Sequence, residues 1–67
     1  MGSVARVTEI SARSEKSFED AVSTGLERAT QTLRNVQSAW IKEQEVELRD
    51  GAISAYKVNM LVTFVLE

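Results

Sequence analysis

Three carboxylates alternate along one short segment of the chain. Glu43, Glu45 and Glu47 are each separated by one residue, and in an extended strand side chains two residues apart point to the same face. Hard cations such as calcium bind several carboxylate oxygens, so the three residues are candidate calcium ligands. The spacing is also typical of a solvated edge strand, where charge discourages unwanted pairing. For one chain alone we favour the interpretation as a solvated edge strand. A symmetric assembly can bring carboxylates of several subunits together at an axis, which favours the interpretation as a metal site.

Trp40 is the single tryptophan and belongs to the same segment. Strict alternation places its side chain on the other strand face, together with Ser38, Lys42, Gln44 and Val46. An indole among polar neighbours is either a stacking platform for a flat ligand or an anchor between subunits. The residues alone favour the anchor.

Groups that could carry out catalysis are scarce. The chain has no Cys and no His, which excludes disulfides and thiolate metal sites and removes the commonest general base. Lys57 neighbours Tyr56, but adjacent strand residues face opposite sides, so the two do not form a catalytic pair. The three glycines are scattered and make no phosphate-binding loop. The sequence therefore predicts that the protein is not an enzyme.

Length and charge restrict the class of protein further. The 67 residues predict one domain over residues 1–67, and residues 1–3 are typical of a cloning scar. The net charge of −2 offers no basic stripe, so no nucleic acid is expected as a partner. No apolar run approaches the roughly 20 residues of a membrane helix, so no membrane partner is expected and a cytoplasmic location is the default.

The small size of the chain also predicts self-association. A domain of this length buries about 60% of the surface that its unfolded chain exposes, so its own core is marginal. Such domains are usually stabilised by disulfides, by a structural metal or by oligomerisation. Because Cys and His are both missing, we expect a homo-oligomer.

The first half of the chain predicts a strand followed by a helix. The segment of residues 4–10 is short and rich in β-branched side chains, which favours a strand. Ser14 is the predicted N-cap, the helical spacing begins at Phe18, and Asn35 is the predicted stop. Gly25 lies within the apolar stripe and indicates close approach of the helix to a sheet. The stripe consists of Phe18, Ala21, Val22, Gly25, Leu26, Ala29 and Leu33.

The second half predicts two strands, over residues 39–48 and 55–66, joined at the Asp50-Gly51 turn. A right-handed crossover leaves a gap between the first two strands, and the third fills it. The predicted fold is α+β: a βαββ chain whose three-stranded antiparallel sheet of order 1-3-2 packs on one helix. Leu61 and Val65 alternate onto the sheet face away from the helix, which predicts burial there against other subunits.

This pattern resembles the dodecin family along nearly the whole chain. The resemblance is carried by residues 4–10, by the helix start Ser14-Glu15-Lys16-Ser17-Phe18, and by residues 26–36 and 56–67. It implies small βαββ subunits that assemble as a hollow homo-dodecamer. It also implies a small-molecule ligand, FMN or riboflavin, which the assembly binds and stores.

The flavin site that the resemblance implies is altered in this sequence. Ser38 occupies the position where typical flavin-binding dodecins have the stacking Trp. Lys57 occupies the position of a Gln that holds the ring edge in those proteins. Glu45 replaces an Arg found near the flavin phosphate, and Val65 replaces the Arg before the final Leu-Glu. Trp40, two residues along the strand, is a candidate substitute platform. Ser38, Trp40, Glu45 and Lys57 are therefore the candidate flavin-site residues.

A shorter similarity points to a metal. Residues 40–45 resemble a dodecin branch described as calcium-binding, which also lacks the stacking Trp. This similarity agrees with the three alternating carboxylates, Glu43, Glu45 and Glu47. It implies calcium as the alternative ligand, in an assembly that does not depend on flavin. A purely structural role is the remaining alternative.

Overall fold

The computed structural model describes residues 2–66 and contains four elements in the order strand, helix, strand, strand. They are β1 (Ala5–Ser14), α1 (Phe18–Thr32), β2 (Val36–Arg49) and β3 (Ala52–Val65). The strands form one antiparallel sheet of order β1-β3-β2. The predicted βαββ fold and strand order are confirmed.

The helix begins as the sequence predicts, but its N-cap is Ser17 and the prediction of Ser14 is wrong. The Ser17 hydroxyl oxygen accepts a hydrogen bond from the Asp20 backbone N–H at 2.9 Å, which satisfies one of the unpaired donors of the first turn. Ser14 is the last residue of β1. Its hydroxyl donates to the Asp20 carboxylate at 2.6 Å and accepts from the Lys16 N–H at 2.9 Å.

The helix ends three residues before Asn35. Leu33 is the C-cap, and its N–H donates to the Ala29 carbonyl at 2.9 Å. Asn35 has a φ of 59°, a left-handed conformation that Asn adopts more readily than most residues. It turns the chain into β2, and its carbonyl accepts from the Val65 N–H at 3.1 Å.

The core lies between the helix stripe and the centre of the sheet. Ala21, Gly25 and Ala29 are the buried residues of α1. A Cβ at Gly25 would lie 2.5 Å from Met60 Cε and 2.9 Å from Ala12 Cβ, which confirms the predicted close approach. The helix start is fixed by an edge-to-face contact of Phe18 and Tyr56, with ring centroids 5.1 Å apart. The buried β3 residues facing the helix are Val58, Met60 and Val62.

The hairpin forms at the predicted turn. Arg49 pairs with Ala52, and the two residues between them, Asp50 and Gly51, have φ values of 51° and 80°. Two positive φ angles characterise the type I′ turn, whose twist matches that of the flanking strands. Both strands of the hairpin have 14 residues, longer than predicted, and they extend the chain to 53 Å.

The helix packs on β1 and β3 and leaves β2 uncovered. None of the 14 residues of β2 is buried. The strand is therefore an edge with side chains accessible on both faces, and the candidate site residues lie mainly on it. Among the described residues, no helix is long and apolar enough to cross a membrane.

Candidate functional site

A β-bulge decides which side chains accompany Trp40. Ile41 pairs with Met60 and Glu43 pairs with Asn59, so Lys42 is an extra residue in β2. An extra residue reverses the alternation beyond it. Trp40, opposite Leu61, therefore shares its sheet face with the three carboxylates and not with Gln44 and Val46. The strict alternation expected for this strand is wrong at Lys42.

The face that carries Trp40 is the one turned away from the helix, here called the open face. Register places five residues of β2 on it, together with alternate residues of β1 and β3. On the helical side Val58, Met60 and Val62 of β3 are buried. The open face includes Val7, Glu9, Ser11, Arg13, Ser38, Trp40, Glu43, Glu45, Glu47, Lys57, Asn59, Leu61, Thr63 and Val65.

Ser38 and Trp40 are neighbours on the open face. Ser38 lies opposite Thr63 and Trp40 opposite Leu61, which puts them about 7 Å apart along the strand. Trp40 is 68% exposed, although indole is one of the largest apolar side chains. An aromatic ring held on a strand with its surface in solvent can stack on a planar ligand or pack against another subunit.

Glu45 and Lys57 form a second pair of candidate residues. They are direct partners in the β2–β3 ladder, and the Lys57 Nζ lies 3.8 Å from Glu45 Oε1. Lys57 and Leu61 are four residues apart on β3, so this pair is about 13 Å from the level of Trp40. Within one chain the four candidate flavin residues therefore form two separate pairs on the same face.

The remaining two carboxylates also have partners across the sheet. Glu43 Oε1 accepts a hydrogen bond from Asn59 Nδ2 at 3.0 Å. Glu47 Oε1 accepts from Arg13 Nε at 3.1 Å. The row of three carboxylates is thus interleaved with donors of β1 and β3, and such exposed pairs contribute about 0–1 kcal/mol each.

A further ion pair lies beside Trp40. Lys42 Nζ is 3.3 Å from Glu9 Oε2, and Glu9 shares the row of Leu61 and Trp40. Sequence reasoning missed Glu9, Arg13 and Asn59 as site residues because they are far from Trp40 in the chain. The strand register brings them together, and no local sequence pattern predicts that register.

A shallow depression of about 350 Å³ lies at the carboxylate end of the open face, lined by Glu43, Gln44, Glu45, Lys57 and Asn59. Across residues 2–66, no group of three or more acidic side chains is arranged to hold a metal ion. A calcium ion bound by three or more carboxylates would therefore need carboxylates of another subunit. That arrangement stays a prediction.

Comparison with known proteins identifies the family. A sequence profile of the dodecin family matches residues 4–67. The chain therefore belongs to the dodecin family, as its sequence resemblance predicts. No curated protein matches the sequence significantly.

Solved structures match the whole fold. The dodecin from Streptomyces davaonensis has a TM-score of 0.93 at 34% identity, covering 100% of this chain and 98% of that one. A single-residue variant of the Thermus thermophilus dodecin has a TM-score of 0.92 at 32% identity, with 98% of each chain covered. The calcium dodecin from Mycobacterium tuberculosis, described as calcium chelating, has a TM-score of 0.83 at 27% identity, covering 97% of this chain and 93% of that one.

Proposed function

We propose that this protein is a homo-dodecameric dodecin that binds and stores a flavin, with Trp40 as the stacking group. The observation that carries the proposal is the exposure of Trp40, 68%, on the face away from the helix. Membership of the dodecin family supports small-ligand binding. The proposed role is sequestration, in which stacking removes a photoreactive ring from solution, and it requires no catalytic group.

The residues present fit the ring in part. The Trp40 indole supplies an apolar surface for stacking. The Lys57 ammonium supplies donors but no acceptor for a flavin imide N–H, and it is held by Glu45 at 3.8 Å. Ser38 contributes no aromatic surface. We therefore expect weaker flavin binding than in dodecins that carry Trp and Gln at these two positions.

Titration with riboflavin and FMN tests the proposal. Because Trp40 is the single tryptophan, quenching of its emission reports flavin binding in its neighbourhood, and the Trp40 variants test direct contact. Flavin fluorescence gives the affinity of each variant, including those that lack Trp40. Trp40→Ala should abolish binding, and Trp40→Phe, which keeps an aromatic ring, should retain part of it.

The double change Ser38→Trp with Lys57→Gln should raise the affinity by about tenfold or more, since roughly 1.4 kcal/mol corresponds to a factor of ten. Stacking alone contributes about 0.5–1.5 kcal/mol beyond area burial, and the contact area adds to that. Flavin binding that survives Trp40→Ala unchanged would contradict the role of Trp40.

Divalent-cation binding is a second candidate, favoured by one observation. Glu43, Glu45 and Glu47 line one edge of the open face, and the calcium dodecin from Mycobacterium tuberculosis is 27% identical to this chain. Each carboxylate already has a neighbouring donor. No three acidic side chains of residues 2–66 are arranged to hold an ion within one subunit, so a site built from several carboxylates would lie where subunits meet.

Thermal unfolding tests the cation site. A ligand that binds only the folded protein stabilises it by about 2.7 kcal/mol at one hundred times its Kd, so calcium should raise the melting temperature. Changing Glu43, Glu45 and Glu47 together to Gln should remove the shift. Glu15, Glu19 and Glu27, which are exposed, serve as the matched triple control. Equal melting curves with calcium and with chelator would rule the site out.

A further inference from the structure

We infer that the site at Trp40 selects planar aromatic ligands that carry no phosphate, and that Glu43 is the residue that sets this preference. The inference rests on the proposed binding of a flavin at Trp40 and adds the charge of the ligand. A neutral flavin such as riboflavin, or an aromatic cation, should bind more tightly than a phosphorylated flavin.

The charges on the open face support this preference. Around the row from Ser38 to Glu47 there are four carboxylates and three cations. Each of the three cations lies within ion-pair distance of a carboxylate, so their charge is already offset and the set keeps one negative charge in excess. The pairs are Lys42 with Glu9 at 3.3 Å, Lys57 with Glu45 at 3.8 Å, and Arg13 with Glu47 at 3.1 Å.

Glu43 is the carboxylate without a cationic partner in this set. Its donor is the neutral amide of Asn59, at 3.0 Å, so its negative charge is hydrogen-bonded but not compensated. Asn59 and Leu61 lie two residues apart on the open face of β3, and Leu61 pairs with Trp40. The Glu43 row is thus about 7 Å from the Trp40 row.

At this distance the negative charge of Glu43 acts on a ligand that is stacked on Trp40. The screening length is about 10 Å at 0.1 M salt, longer than the separation of the two rows. A phosphate on the ligand is repelled by Glu43, and the repulsion grows as salt is removed. A positive charge is attracted both by the carboxylate and by the face of the indole. The site therefore discriminates by charge as well as by shape.

Three probe ligands separate the effect of ring shape from the effect of ligand charge. Riboflavin and FMN share the same ring and differ by one phosphate, and proflavine is a planar cation. Each is titrated into the intact protein at low salt, with Trp40 emission as the readout. We expect riboflavin to bind about tenfold more tightly than FMN, proflavine to bind at least as tightly as riboflavin, and the FMN penalty to shrink as salt is added.

Glu43→Gln removes the charge and keeps the shape of the side chain, and it should bring the riboflavin-to-FMN affinity ratio close to one. Glu19→Gln is the matched control, because it removes one negative charge from the exposed side of the helix and should leave the ratio unchanged. Equal affinities for FMN and riboflavin in the unaltered protein, or an equal effect of the two variants, overturn the inference while leaving flavin binding intact.

The outcomes also separate the inference from the proposed function. Quenching of Trp40 by proflavine without quenching by either flavin would refute flavin storage and support the charge preference. Absence of quenching by all three probes would refute both.

Discussion

Gly25 is the residue on which the contact between helix and sheet depends. Glycine inside a helix is about 1 kcal/mol less favourable than alanine, so replacing it would stabilise an isolated helix. Here the missing Cβ is what allows the helix to approach Met60 and Ala12. Met60 could move its terminal methyl group, but Ala12 has no rotamer to change, and its Cβ would lie 2.9 Å from the added carbon.

We predict that Gly25→Ala destabilises the protein by about 1–2 kcal/mol, because overpacking typically costs about 1–3 kcal/mol and the helix propensity returns part of it. Urea unfolding followed by circular dichroism measures the change. Thr24→Ala, at an exposed neighbouring position of the same helix, is the control and should be neutral or slightly stabilising. A Gly25→Ala protein that is more stable than the unaltered protein would contradict this prediction. It would show that the sheet moves to accommodate the added Cβ.

At the scale of elements, the hairpin turn restricts its residues most strongly. Gly51 has a φ of 80°, a region that costs a residue with a Cβ about 1–2 kcal/mol. We predict that Gly51→Ala lowers the free energy of unfolding by about 1 kcal/mol, measured by thermal or urea unfolding. Asp50→Asn should be neutral or stabilising, since Asn-Gly is a preferred type I′ pair. Equal stability of Gly51→Ala and the unaltered protein would contradict this reading of the turn.

The elements that the sequence predicts correctly are those with local signals. The helical stripe around Gly25 and the Asp50-Gly51 turn each depend on residues close in the chain, and with the right-handed crossover they determine the strand order. The cap was misplaced because Ser14 and Ser17 are both suitable N-cap residues, and the choice depends on how far β1 continues along its partner. Boundaries of this kind follow from cross-strand pairing, which has no local signature.

The candidate site was predicted less completely for the same reason. The extra residue Lys42 moves Trp40 onto the face of Glu43, and a bulge of this kind changes every side-chain assignment beyond it. The residue types around Lys42 do not indicate a bulge. The individual residue types were recognised as unusual, but their common surface becomes visible only with the register of the sheet.

At the scale of the whole molecule, the hairpin extends beyond its helix. The chain measures 53 × 20 × 13 Å, and β2 has no helix over it. Ile41 and Val46 point to the helical side of the sheet, opposite Met60 and Tyr56, and are 44% and 38% exposed. On the open face Leu61 and Val65 are half-buried. Apolar side chains on both faces of a thin sheet favour cover by further copies of the chain.

The last prediction concerns the proposed dodecamer. Light scattering at micromolar concentration should give a mass close to that of twelve chains, because a domain of this size without disulfides gains much of its stability from assembly. The double change Ile41→Lys with Val46→Lys should abolish the dodecamer, since two charges would have to be buried without partners. Ser23→Lys with Gln31→Lys adds the same charge at exposed positions of α1 and should leave the assembly intact. A folded and stable monomer of the unaltered protein would contradict the proposed dodecamer. A dodecamer that tolerates Lys at positions 41 and 46 would show that Ile41 and Val46 are not buried in it.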